Sequence, residues 1–187
     1  TKADIELSAV TSKDKKAFEI GLRMGVENFS LSFTNSAKDV LQIREIIGNN
    51  SNLISKIESI KGVLNLEEIL PIVDQILIDR GDLSREVSIE KIPFIQRKII
   101  SYAASKNTPV YVATNLLESM IKSASPTRAE ANDVASTLLM GASGLVLAAE
   151  TAIGDYPIDS VEMINLIIKE YNRWTTESSF NEIIFQD

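Results

Sequence analysis

The sequence predicts an α/β protein built on a parallel β-sheet, and two observations support this fold class. Short apolar runs rich in β-branched residues alternate with longer amphipathic stretches, which is the pattern of repeated βα units. The starts of successive runs are separated by roughly the 30 residues that one βαβ unit takes. Each run is nearly all apolar, so we expect parallel strands that are covered on both faces.

Five strands are predicted, at residues 28–33, 52–57, 75–78, 109–113 and 144–148. The helices predicted around the first three strands lie at residues 14–24, 37–47 and 62–70. The first of these helices ends at Gly25, the second repeats apolar residues at intervals of three and four, and the third ends before Pro71. These are the periodicity and stop signals of amphipathic helices.

Three further helices are predicted at residues 89–106, 127–140 and 159–171. The first ends at Asn107, the second follows Pro126 and ends at Gly141, and the third follows Pro157. Proline at the start and glycine at the end are typical of helices. Because no linker or low-complexity segment divides the chain, we expect residues 1–187 to form a single domain, with a tail at 172–187 whose structure the sequence leaves open.

The composition excludes several kinds of site. The 187 residues include neither Cys nor His, which removes disulfides, thiolate nucleophiles, Cys- or His-ligated metals and Ser-His-Asp triads. Catalysis would have to use carboxylates, Lys, Tyr, hydroxyls, backbone groups or a hard cation such as Mg²⁺. The net charge of −7 argues against a nucleic-acid-binding surface, although it leaves room for one small anion pocket.

Hydropathy argues against a membrane protein. No run of about 18 uninterrupted apolar residues occurs, so we expect no membrane-spanning segment. The first residues lack an apolar signal region, and we therefore expect a cytoplasmic location.

Polar side chains cluster where the predicted strands end. Lys56 and Glu58 are two positions apart, so on a strand both project from the same face. Ser32 lies at the end of the first strand, Asp82 follows the third and Thr114 follows the fourth. The carboxyl ends of parallel strands meet at one edge of the sheet, and in a (β/α) barrel that edge carries the catalytic groups.

This edge has two interpretations. Two carboxylates and a lysine would suit Mg²⁺, which prefers one or two carboxylates together with water and substrate oxygens, and the lysine would neutralise or protonate an oxyanion. The spacing of Lys56 and Glu58 equally fits a simple ion pair at a strand end. Glu150, after the fifth strand, fits a helix cap.

Read in order, these segments resemble the catalytic barrel of the pyruvate kinase family. Five motifs carry the resemblance: Ser55-Lys56-Ile57-Glu58, Arg80-Gly81-Asp82-Leu83, Thr114-Asn115-Leu116-Leu117-Glu118-Ser119-Met120, Pro126-Thr127-Arg128-Ala129-Glu130, and Glu150-Thr151-Ala152 with Gly154-Asp155-Tyr156-Pro157. They are in register with strands four to eight of the family's barrel. The resemblance therefore implies a partial TIM-type (β/α)8 barrel of about five βα units, with a parallel sheet and outer helices.

The resemblance also implies the chemistry, which is phosphoryl transfer between phosphoenolpyruvate and ADP. Glu58 and Asp82 would hold Mg²⁺ or Mn²⁺, Lys56 would stabilise the transferring phosphoryl group and the enolate, and Thr114 would lie beside the carbon that gains a proton. The implied substrate contacts are Ser32, Gly81, Asp82 and Thr114, of which the glycine and aspartate would act through backbone N–H groups. The family's K⁺ ligands and phosphate-binding Arg belong to its first three strands, which have no counterpart in these residues.

Several positions depart from the family pattern. Asp79 replaces an Ala and adds negative charge beside the expected cation, Asn35 replaces an Arg, and Ile153 replaces a Lys. We expect these changes to weaken the binding of a multiply charged substrate. Five strands cannot close such a barrel and would leave two open edges. We therefore expect a second copy, a separately encoded partner chain or an N-terminal part of a longer chain to complete it, unless the tail covers an edge.

Two functions therefore stand at this point. The first is a pyruvate-kinase-like enzyme acting on phosphoenolpyruvate or pyruvate. The second is a degenerate, non-catalytic subunit or assembly module, which the departures favour. The joint presence of Lys56, Glu58 and Asp82 favours the enzyme.

Overall fold

The chain folds around a five-stranded sheet in a computed structural model that describes residues 10–185. The strands are β1 (Asn28–Leu31), β2 (Asn52–Ile57), β3 (Gln75–Asp79), β4 (Val110–Ala113) and β5 (Gly144–Val146). Their order in the sheet is β1-β2-β3-β4-β5, and the pairs from β1 to β4 are parallel. Sequential order with helical crossovers is the arrangement of repeated βα units, and the predicted fold class is confirmed.

Helices follow or precede each strand. They are α1 (Ser12–Arg23), α2 (Ala37–Ile47), α3 (Ile60–Leu64), α4 (Leu66–Ile69), α5 (Arg80–Leu83), α6 (Ile92–Ser105), α7 (Arg128–Leu139), α8 (Ala149–Ala152), α9 (Pro157–Arg173) and α10 (Phe180–Phe185). Single 3₁₀ turns occur at Leu70–Ile72, Ile89–Lys91 and Glu118–Ile121. Between residues 10 and 185, none of these helices is long and apolar enough to cross a membrane.

Some predicted boundaries were wrong. The helix predicted at 62–70 is two short helices that meet at Asn65, which ends α3 and begins α4. The strand predicted at 28–33 ends at Leu31 because the chain turns at the next two residues, with Phe33 in the left-handed region at φ +49°. The last strand ends at Val146 rather than at residue 148.

The chain divides by its internal contacts into two units. Within the described residues, the first unit comprises 10–113 and 142–145, and the second comprises 114–141 and 146–185. The prediction of a single domain stays a prediction.

In the first unit, strands β1–β4 each bury the residues of one face. Leu53, Ser55 and Ile57 of β2 are buried, whereas Ile54 and Lys56, which alternate with them, are half-buried. The sequence predicted cover on both faces, but only one face is sealed. Helices α2 and α6 contribute buried residues such as Ile43 and Ile99 to the core. A charged side chain such as Lys56 is tolerated on the half-buried face because its ammonium group keeps contact with water and with other charges.

Side-chain caps fix where several helices begin. Thr11 and Asp14 form a capping box at α1, and Thr127 and Glu130 form one at α7. Each such cap satisfies backbone N–H groups that have no partner within the helix and contributes about 1 kcal/mol.

In the second unit, α7 and α9 pack together around Val134, Leu138 and Ile164. Glu150 is 1% exposed. Its Oε1 accepts a hydrogen bond from the Leu117 N–H at 3.0 Å, and its Oε2 accepts one from the Ala148 N–H at 2.9 Å. Two backbone donors offset much of the cost of burying this carboxylate.

The described part of the tail, whose structure the sequence left open, contributes the last two residues of α9 and the short helix α10. Trp174 lines a groove of about 400 Å³ together with residues of α7, α9 and α10. Phe180 and Phe185 are 83% and 76% exposed. These two aromatic side chains therefore cover little surface in this chain.

Candidate functional site

Lys56 and Glu58 lie at the carboxyl end of β2 and contact each other. Lys56 Nζ lies 2.5 Å from Glu58 Oε1 and 3.5 Å from Asp79 Oδ2. The two-residue spacing predicted that Lys56 and Glu58 project from one face, and the structure has this contact. The ammonium group therefore sits between two carboxylates contributed by neighbouring strands.

The Glu58 side chain is held in place from two sides. It is fully buried, and its Oε2 accepts a hydrogen bond of 2.6 Å from the backbone N–H of Phe33. Its Oε1 faces Lys56 but accepts no hydrogen bond of good geometry from residues 10–185. A buried carboxylate oxygen in this situation retains capacity for a further positively charged ligand.

Asp79 and Asp82 flank the start of the short helix α5. Asp79 is the last residue of β3, and its Oδ1 accepts a hydrogen bond from the Asp82 N–H at 3.4 Å. The Asp82 carboxylate lies 3.4 Å from Arg85 Nε through its Oδ1. A strand that runs directly into a helical turn thus brings two carboxyl groups to the same edge.

Three carboxylates converge at this edge of the sheet. Glu58, Asp79 and Asp82 each offer an oxygen, and these oxygens lie within 4.8 Å of one another. Hard cations such as Mg²⁺ and Mn²⁺ take oxygen ligands of this kind, so the donor set fits such an ion. Sequence reasoning selected Glu58 and Asp82 as metal ligands and treated Asp79 only as an added charge. The geometry places Asp79 in the same cluster.

The environment of Lys56 favours its charged form. Burial alone would lower the pKa of this ammonium group, but the close, negatively charged Glu58 carboxylate, with a smaller contribution from Asp79, raises the pKa above its usual value. Lys56 is therefore a fixed positive charge at neutral pH rather than a general base.

The other predicted residues of the first unit lie near the strand ends. Ser32 is exposed in the turn after β1, and Gly81 is half-buried within α5. Asn35, at the position of the family's Arg, makes a short hydrogen bond to Ser59 through its side chain, while its backbone oxygen accepts one from Asn65 Nδ2 at 2.8 Å. Asn35 is therefore engaged in holding the loop between β1 and α2.

Thr114 begins the second unit and has an unusual backbone conformation. Its φ is +69°, and that of Asn115 is +53°. A β-branched residue in the left-handed region is uncommon and costs of order 1 kcal/mol or more. The Asn115 side chain donates to Glu118 Oε2 at 2.7 Å, which helps to hold this turn. Strain of this kind is concentrated at functional sites.

Comparison with known proteins identifies the family. A family model for the pyruvate kinase barrel domain matches residues 1–161. The chain belongs to the pyruvate kinase family. Proteins named pyruvate kinase from Agrobacterium vitis and Thermotoga maritima are each 40% identical to it over 90% of its length, and one from Dictyostelium discoideum is 44% identical over the same share.

The chain is much shorter than these relatives. It spans 35%, 37% and 34% of the proteins from Agrobacterium vitis, Thermotoga maritima and Dictyostelium discoideum, respectively. The matched portion lies in the pyruvate kinase barrel domain, and the parallel sheet with flanking helices described above is consistent with a partial barrel of this type.

Two features of the site escaped sequence reasoning. The Phe33 N–H is a backbone group, and no residue type signals that it will meet Glu58. Arg85 lies outside the motifs, and its contact with Asp82 follows from the helical turn that places the two side chains three residues apart.

Proposed function

We propose that this chain contributes the cation and enolate part of a pyruvate-kinase-type site, which transfers a phosphoryl group between phosphoenolpyruvate and ADP. The observation that carries this proposal is the convergence of Lys56 with the carboxylates of Glu58 and Asp82 at the carboxyl edge of the sheet. Family membership supports the same chemistry.

The residues have separate roles in this proposal. Glu58 and Asp82 would hold Mg²⁺ or Mn²⁺, and the buried Glu58 Oε1 beside Lys56 supports a cation at this point. When bound, the cation would supply positive charge against the oxygens of the enolate and of the transferred phosphoryl group. Lys56 would add a second, fixed positive charge to the same oxygens.

Substrate orientation would come from the groups around this pair. The backbone N–H groups of Gly81 and Asp82 would bind the substrate carboxylate, and Ser32 would contact the phosphoryl end. For Thr114, which belongs to the second unit, the role beside the carbon that exchanges a proton is proposed from the family resemblance alone. Phosphoryl transfer requires positioning and charge neutralisation more than covalent help, which suits a chain without His or Cys.

Exchange of the methyl protons of pyruvate with solvent tests this proposal. In D₂O, the methyl signal of pyruvate should disappear from the proton NMR spectrum in the presence of the chain and Mg²⁺, because a C–H bond breaks to give the enolate and the carbon then takes a deuteron. Lys56→Met should abolish the exchange. Lys38→Met, which removes an exposed lysine on α2, should not. Absence of exchange in a folded, Mg²⁺-loaded sample, with any partner chain included, would count against the enzyme.

A non-catalytic module is the second candidate, and two observations favour it. Asp79 engages Lys56 and the Asp82 N–H, and Asn35 is bonded to Ser59 where the family has a charged Arg. Ligands that bind the native state raise its melting temperature. If neither Mg²⁺ nor phosphoenolpyruvate raises the melting temperature, the module is favoured over the enzyme.

We also propose that another polypeptide segment completes the barrel. In the described residues, β1 and β5 are the outermost strands of the sheet, and outer strands present unpaired N–H and C=O groups. A second copy, a partner chain or a further part of the same polypeptide would cover them. Size-exclusion chromatography with light scattering tests this, and a well-folded monomer of these 187 residues would contradict it.

A further inference from the structure

We infer that Asp79 is a specificity-determining residue. Its carboxylate competes with the substrate anion for the same ammonium and N–H groups, and it thereby disfavours multiply charged ligands. The inference rests on the proposed cation site, and it concerns a position where the resemblance leads one to expect an uncharged Ala.

The contacts of Asp79 show which groups it competes for. Its Oδ2 lies 3.5 Å from Lys56 Nζ, and its Oδ1 accepts a hydrogen bond from the Asp82 N–H at 3.4 Å. These are the ammonium group and one of the backbone donors that the proposed function assigns to the substrate. Asp79 therefore offers a carboxylate from within the protein to both groups at once.

Burial makes this competition effective. The Asp79 side chain is 11% exposed, so its charge is screened by water less than that of a surface carboxylate. Its contacts with Lys56 Nζ and with the Asp82 N–H are long for charge-assisted hydrogen bonds, which are usually about 2.7–2.9 Å. An entering anion can therefore displace them, but it does so against the repulsion of Asp79.

Charge balance at the site defines the ligand that fits. The site carries two net negative charges, because the ammonium group of Lys56 offsets one of the three carboxylates of Glu58, Asp79 and Asp82. One divalent cation neutralises these two charges. The exposed Arg85 lies beside Asp82. With an uncharged residue at position 79, the same cation would leave one net positive charge to attract an anion. Relative to the same site with an uncharged residue at position 79, the site of this chain should therefore bind a phosphorylated enol less favourably than a 2-oxo acid with one carboxylate, such as pyruvate.

Calorimetric titration of the chain with Mn²⁺, and then of the Mn²⁺-loaded chain with pyruvate or phosphoenolpyruvate, tests this inference. The variant is Asp79→Asn, which keeps the shape of the side chain and its ability to cap α5 but removes the charge. We expect it to weaken Mn²⁺ binding severalfold and to shift the ratio of affinities toward phosphoenolpyruvate by on the order of tenfold, because phosphoenolpyruvate carries about two more negative charges than pyruvate.

Two further variants keep the test decisive. Glu45→Gln removes an exposed carboxylate of α2 and should leave both affinities unchanged. If Asp79→Asn does not fold, Asp79→Ser supplies a smaller capping side chain and should shift the ratio in the same direction.

The outcomes separate the two proposals. Intact Mn²⁺ binding with an unchanged ratio of affinities in Asp79→Asn, or failure of both anions to bind in the native chain and in the variant, overturns the role of Asp79 alone. Failure of the native chain to bind Mn²⁺, or binding that persists at full strength in Glu58→Gln, overturns the proposed cation site and the inference with it.

Discussion

The backbone N–H of Phe33 holds the Glu58 carboxylate, because it donates a hydrogen bond of 2.6 Å to Oε2. The other oxygen of that carboxylate is thereby directed to Lys56. Phe33 has φ +49°, so the turn after β1 takes up an unfavourable conformation in which its N–H points at the end of β2. The orientation of Glu58, a candidate cation ligand, therefore depends on a turn that carries no charged side chain of its own.

Glu58→Gln should weaken both cation binding and stability. The amide oxygen can still accept the Phe33 hydrogen bond, but Lys56 loses its shortest ion pair. Because Lys56 would keep only its longer contact with Asp79, we expect the free energy of unfolding to fall by about 1–3 kcal/mol. Urea denaturation measures the stability change, and titration with Mn²⁺ measures the loss of binding. Equal stability of Glu58→Gln and the control Glu45→Gln would contradict this account.

Thr114→Gly should stabilise the chain while impairing the proposed reaction. Glycine adopts φ near +69° without a steric penalty, so the strain at this position is relieved. We expect the free energy of unfolding to rise by about 1 kcal/mol, and the exchange of pyruvate methyl protons to fall because the hydroxyl is lost. Thr114→Ser, which keeps a hydroxyl, should retain more of the exchange. A variant that is less stable than the native chain would show that the Thr114 side chain contributes more than its strain costs.

Acid should remove a stabilising contribution of Glu130. Partial burial would raise the pKa of this carboxyl group, but hydrogen bonds from Ser119 and Thr127 outweigh it and lower the pKa below its usual value. A group whose pKa is lowered by folding stabilises the native state above its unfolded pKa, and that contribution is lost as the pH falls through the folded pKa.

The measurement compares the native chain with Glu130→Gln from neutral pH down to about pH 3. The difference in free energy of unfolding should be largest near neutral pH and should shrink below the usual carboxyl range. Glu162→Gln, an exposed position of α9, serves as the control. A difference for Glu130→Gln that stays constant across the pH range would show that the charge of Glu130 does not contribute.

Gly62→Ala should destabilise the first unit, although alanine is normally the better helix former. A Cβ at this position of α3 would lie 2.5 Å from the backbone oxygen of Thr34, which is well inside van der Waals contact. We expect a loss of about 1–3 kcal/mol because the neighbour is backbone and cannot rotate away. Leu64→Ala, at a 75% exposed position of the same helix, controls for alanine itself. Thermal or urea denaturation that gives equal stability for Gly62→Ala and the native chain would show that the two segments can move apart.

The sequence was sufficient for the positions of the five strands and of the long helices, because apolar runs and helical periodicity reflect burial directly. It was also sufficient for the contact between Lys56 and Glu58, since alternation along a strand places residues two apart on one face. The short helices α5 and α8 were missed because four residues do not show a period.

The part played by Asp79 could not be predicted for a different reason. The sequence shows an additional carboxylate next to the Arg80-Gly81-Asp82 motif. Whether that carboxylate turns toward Lys56 or toward water depends on where β3 ends and α5 begins. The boundary of an element is the feature that periodicity defines least well, and here it decides which charges are neighbours.

Glu150 ties together two stretches of the second unit that are 33 residues apart in sequence, since it accepts hydrogen bonds from both Leu117 and Ala148. The Asp155 N–H adds a further bond to the Ile121 oxygen. A protease that nicked the exposed segment at residues 122–125 would therefore cut the chain without parting the fragments. The two pieces should comigrate under native conditions and separate only in a denaturant that breaks the hydrogen bonds of Glu150 and of the Asp155 N–H.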